Sequence, residues 1–85
     1  MSRKKQFDLN YQYQLYLQRV GQTESKMHPQ QRIQIKQTFF GAFGQAILLM
    51  RDEVAAQEED VAVETLQDLM QQVQDFFLSE TKRQN

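Results

Sequence analysis

The residues of this chain that carry chemistry are few and scattered. Its one imidazole is His28, set directly before Pro29, with no second histidine and no cysteine to complete a metal-ligand set. Ser25 lies three positions earlier, but this spacing does not fix the hydrogen bond between a hydroxyl and its base that nucleophilic catalysis needs. Capping the helix that Pro29 opens accounts for His28 without catalysis. Glu58, Glu59, Asp60 and Glu64 form an acidic cluster. They lack the Asp-x-Asp-x-Asp-Gly loop that bends oxygens around calcium, and acids at a helix start are explained by the helix dipole. There is no glycine-rich phosphate loop, and the absence of cysteine removes a disulfide scaffold and a cysteine nucleophile together. The expectation is a protein that is not an enzyme, with no catalytic residue, no metal site and no cofactor.

The elements that would position these residues are helices. Eighty-five residues make a single domain, and one Pro and three Gly leave too little punctuation for an all-β fold. Phe7 to Val20 reads two ways. Phe7, Leu9, Tyr11, Tyr13, Leu15 and Leu17 alternate as in a half-buried strand, whereas Leu9, Tyr13, Tyr16, Leu17 and Val20 share one helical face. No other segment offers a strand partner, so the spacing predicts a helix over about 9–20, capped by Asp8 or Asn10 and ended by Gly21. Phe7, Tyr11 and Leu15 then form a second stripe on the opposite side, a candidate partner or dimer surface.

A long central helix is predicted over about 29–56. Ile33, Phe40, Ile47 and Val54 recur every seven residues, and Phe39, Phe43, Ala46, Leu49 and Met50 widen the apolar sector, leaving Gln34, Thr38, Gln45 and Asp52 as a narrow polar strip. Such a helix is expected to be contacted from more than one side. Gly41 and Gly44 cost it roughly 1 kcal/mol each relative to Ala. Close approach of another helix, or a kink, is the expected compensation, in preference to a nucleic-acid-binding GxxG loop. A third helix over about 60–79 has the face Ala62, Leu66, Leu69, Met70, Val73, Phe76 and Phe77. Joining it to the second as one rod would offset the two stripes by about 200°. A break near 56–60 and an antiparallel hairpin, with the first helix packed across it, resolve the conflict. The organisation expected is a disordered basic tail at 1–6, one all-α domain of three helices at 7–79, and a frayed end at 80–85.

Charge is divided along the chain. Residues 1–51 carry eight basic and two acidic side chains, net +6, while residues 52–85 carry two basic and nine acidic ones, net −7. Arg3, Lys4, Lys5, Arg19, Lys26, Arg32 and Lys36, with Tyr11, Tyr13 and Tyr16 among them, make nucleic-acid binding the alternative function. The acidic half and an overall pI near 5.7 weigh against it. The longest apolar run, Phe39–Met50, is interrupted by Gln45 and falls short of the roughly 20 residues a spanning helix needs. With no signal peptide at the start, a cytoplasmic protein is expected. The sixteen Gln are no low-complexity tract. Gln34, Gln45, Gln67, Gln71 and Gln74 fall on outer faces as neutral helix formers.

YLQRVG at 16–21, KMHPQQR at 26–32, FFGAFGQ at 39–45 and LLMRDEV at 48–54 together resemble a group of short helical proteins of bacteriophages and prophages. The resemblance implies a small all-α protein of a phage or mobile element and carries no activity to any residue. The function expected is a non-catalytic interaction module that acts as a homodimer and binds a host or viral protein, with Phe7, Tyr11 and Leu15 as contact residues.

Overall fold

The structure, a computed structural model, describes residues 3–83. Those residues form three α-helices and no strand: α1 at Leu9–Arg19, α2 at Pro29–Leu49 and α3 at Glu59–Arg83. Short 3-10 turns lie at Lys5–Phe7 and Glu24–Lys26, and a π-helical turn at Met50–Val54. By internal contacts the chain divides into two compact units, residues 1–45 and 46–85.

In the first unit, local chemistry sets both ends of α1. Asp8 accepts hydrogen bonds from the amides of Asn10 at 2.8 Å and Tyr11 at 3.4 Å, satisfying donors the first turn leaves open. At the other end Gly21 takes φ +71°, and the amide of Gln22 donates to the carbonyl of Leu17 at 2.8 Å, the pattern of a glycine-ended helix. Pro29 occupies the first position of α2, and His28 Nδ1 accepts from the amide of Gln30 at 3.2 Å, so the imidazole caps that helix. Gln14 Nε2 donates to Glu24 at 2.7 Å and ties α1 to the intervening connection.

Aromatic packing holds α1 against the first part of α2. Tyr13, Leu17 and Met27 are buried, with Ile35, Phe39 and Phe40 packed against them. The Tyr13 ring lies 5.3 Å from Phe39 and 6.3 Å from Phe40, and Tyr16 lies 5.4 Å from Phe39. These separations suit tilted aromatic pairs. Of the stripe expected to form the core, Tyr13 and Leu17 are buried, while Tyr16 and Val20 stay exposed.

The centrally buried α2 read from its broad apolar sector is a correction. No residue of α2 is buried, and Ile33, Ile47 and Leu48 are exposed. The close approach expected at its glycines is also corrected. A Cβ built at Gly41 or Gly44 meets nothing within 4 Å among the described residues.

In the second unit, regular α-geometry ends at Leu49, short of the expected 56, but winding continues as a π turn. There the amide of Ala55 donates to the carbonyl of Met50 at 2.8 Å, and Val54 is buried. Residues 55–57 form the turn, and Thr65 Oγ1 donates to Gln57 Oε1 at 2.9 Å across it. Glu59 and Asp60 occupy the first turn of α3, where the dipole favours acids. The helix runs past Ser79 to Arg83. Met1, Ser2, Gln84 and Asn85, parts of the tails expected at 1–6 and 80–85, lie outside the described residues.

Two predictions follow from this packing. With open space at Gly41 and a helical backbone, Gly41→Ala stabilises the protein by about 1 kcal/mol, raising Tm by roughly 4–8 °C. Gly21→Ala, at positive φ, lowers it. Calorimetry on both variants checks the opposite signs. The Tyr13 hydroxyl is buried and finds no hydrogen-bond partner among the described residues. Burial first, and the charge of Glu24 second, hold its pKa above the ordinary tyrosine value, partly offset by Arg32. Because the folded-state pKa is raised, this contribution is intact below about pH 10 and is lost as pH rises above it. Tyr13→Phe is therefore neutral or stabilising, by up to about 1 kcal/mol, and flattens the alkaline loss of stability in denaturant titrations at pH 7 and above 10.

Candidate functional site

The face of α3 that the sequence assigns to the core is open. Ala62, Leu66, Leu69, Val73 and Phe76 alternate at spacings of four and three, with Met70 and Phe77 alongside, a seam that stays on one side of a helix. Leu66 is 44%, Met70 57%, Val73 50%, Phe76 57% and Phe77 60% exposed. No side chain described on α3 is buried. Together these five expose roughly 500 Å² of apolar surface, at the upper end of what a monomer's largest patch ordinarily shows.

Away from the seam, two glutamine–carboxylate pairs bond along α3. Gln71 Nε2 donates to Asp75 at 2.9 Å, and Gln72 Nε2 donates to Asp68 at 2.8 Å. These i, i+4 pairs support the helix in water and need no neighbour. The amphipathic division is incomplete: Leu78, 62% exposed, lies on the Gln71 side, so water also meets apolar surface away from the seam.

Within the second unit, Ala46, Leu49 and Met50 face this side across an open hollow of about 580 Å³. Leu66, Leu69, Met70, Val73, Phe76 and Phe77 form its other wall, with the Phe76 and Phe77 rings edge to face at 5.3 Å. Gln72 is the one polar residue lining it. The hollow carries no titratable group, so what it offers is apolar contact, at the scale of a helix face or a few large side chains.

The residues proposed from sequence as the contact surface lie in the first unit. Phe7 is 68% exposed in its 3-10 turn, but Tyr11 and Leu15 are half-buried, and Lys5 Nζ sits 4.6 Å from the centre of the Tyr11 ring. Arg3, Lys4, Lys5, Arg19, Lys26, Arg32 and Lys36 are all exposed and all in that unit. Arg3 pairs with Asp8 at 3.8 Å, and Lys36 Nζ lies 5.9 Å from the Tyr13 ring centre. The tyrosines meant to stack on bases are engaged elsewhere: Tyr13 is fully buried and Tyr16 packs on Phe39. The unit boundary also divides charge, with seven cations and two anions in residues 1–45, net +5, and three cations and nine anions in residues 46–85, net −6.

The α3 stripe, expected in the hairpin core, is instead exposed. A cue was present: Met70 and Phe77 widen the seam beyond what one neighbouring helix covers. Among the described residues, no group of His, Asp or Glu gathers where it could hold a metal ion, and no helix is long and apolar enough to cross a membrane.

The fold and the open face define a small all-helical protein with an unpartnered amphipathic helix. Comparison with family models, curated proteins and solved structures finds no match.

Phe76 lies outside the buried core but packs edge to face on Phe77, so Phe76→Ser costs about 1 kcal/mol of unfolding free energy in dilute solution. Leu17→Ala, in the core, costs about 3 kcal/mol under the same conditions. Urea titrations of the two variants measure the contrast.

Proposed function

We propose that this chain is a non-catalytic protein-interaction module of a phage or mobile element, acting as a homodimer and binding a host or viral protein. One observation carries the reading. A 25-residue helix presents Leu66, Met70, Val73, Phe76 and Phe77 to solvent along one face, and a contiguous apolar face of this size signals a partner. In this proposal α2 and α3 form an antiparallel hairpin. Its support is the placing of Ala46, Leu49 and Met50 opposite the α3 face around one hollow. Phe7, Tyr11 and Leu15 serve as an accessory surface. A cytoplasmic location fits a module of this kind.

Light scattering across a concentration series tests the proposal. The chain is expected at twice its 10.1 kDa mass when concentrated. Phe76→Asp returns it to the monomer with its helicity intact, and Tyr11→Asp leaves the dimer in place. A monomer at all concentrations, or a dimer indifferent to Phe76→Asp, contradicts it.

The clustering of seven exposed cations in one unit favours nucleic acid as a second reading, with the basic unit on the phosphate backbone. That binding weakens steeply with salt and with Lys4→Gln and Lys5→Gln. The absence of any shift with duplex or single-stranded probes at low salt ends it.

A further inference from the structure

We propose that Met70 is a peroxide-sensitive modification site, and that oxidation of its thioether to the sulfoxide turns the middle of the exposed α3 face from apolar to polar.

Sulfur chemistry in this chain falls to methionine alone. No cysteine is present, so no thiol reacts with an oxidant first. Of the four methionines, Met1 lies outside the described residues, and the other three differ in access to solvent. Met27 is 6% exposed and belongs to the Tyr13–Leu17 core of the first unit, whereas Met70 is 57% exposed in the second. Met50 is half-buried in the π turn. A thioether is oxidised only when its sulfur lone pair meets the oxidant directly, so rate follows access. The fold therefore sets the order Met70, Met50, Met27.

The surroundings of Met70 determine what its oxidation does. Leu66, four residues before it, and Val73, three after, share its side of α3, and both are exposed. Phe77, two turns on, is exposed as well. Met70 and Met50 both line the hollow of the second unit, where Gln72 is the one polar residue.

Hydrogen peroxide supplies the chemistry. The sulfur lone pair attacks one peroxide oxygen, the O–O bond breaks and an S–O bond forms. The proton on the transferred oxygen passes to the leaving oxygen, which departs as water. Sulfur loses two electrons and the peroxide gains them. The product carries a hydrogen-bond acceptor that water solvates, on the side of the helix shared by Leu66, Val73 and Phe77. The face loses apolar character at its middle without a change of charge.

Cleavage at Lys and Arg places each methionine on its own peptide, so mass spectrometry reads the four sulfurs separately. Dilute chain treated with hydrogen peroxide is expected to form Met70 sulfoxide on the order of tenfold faster than Met27 sulfoxide, the ratio of their exposures. In urea-unfolded chain the two rates converge. On a hydrophobic-interaction column the oxidised chain elutes earlier than the untreated one. That shift is largely lost in Met70→Leu, whose remaining sulfurs are those of Met1, Met27 and Met50. Equal rates at Met27 and Met70 in the folded chain, or a preference for Met70 that survives unfolding, overturn the inference. So does retention that Met70 oxidation leaves unchanged, or a shift of the same size in Met70→Leu. The chain is dilute throughout, so a protein that never dimerises gives the same results, and failure of the self-association reading is seen separately by light scattering.

Discussion

An apolar helix face in contact with water is the constraint around which the second half of this chain is organised. Leu66, Met70, Val73, Phe76 and Phe77 are each about half exposed, and solvating such a face costs on the order of 25 cal/mol per Å². Small chains are marginal because they bury a modest fraction of their surface. The sequence nevertheless keeps seven apolar residues on one face of α3. The Gln71–Asp75 bond lies away from that face.

The first unit solves a different problem with different means. There Tyr13 and Leu17 of α1 sit against Phe39 and Phe40 of α2, and few residues do the stabilising. The caps at Asp8 and Gly21 and the His28 contact to Gln30 define where each helix starts and stops. Charge follows the same division, with a basic first unit and an acidic second one. Cations near the aromatic rings, Lys5 over Tyr11 and Lys36 near Tyr13, use part of that positive charge within the unit itself.

What was legible in the sequence was local. Asp8, Gly21 and Pro29 announce helix boundaries because capping and φ preferences act over a few residues, and all three sit where that chemistry puts them. The helical reading of Phe7 to Val20 over the strand reading rested on the lack of a strand partner, and α1 is a helix. Periodicity also found the α3 stripe, residue by residue. It could not say what covers that stripe, because a core and an interface have the same hydrophobic pattern. The same limit applied to α2, whose wide apolar sector suggested burial that Ile33 and Ile47 do not have. The π turn at Met50–Val54 has no signature in residue type, and the apolar periodicity runs on past Leu49, where α2 ends.

Amide hydrogen exchange at varied protein concentration tests the central claim most directly. If a second copy covers α3, protection of the amides from Leu66 to Phe77 rises as the protein is concentrated, while α1, held by its own core, exchanges at an unchanged rate. Exchange along α3 that is the same at every concentration would contradict it.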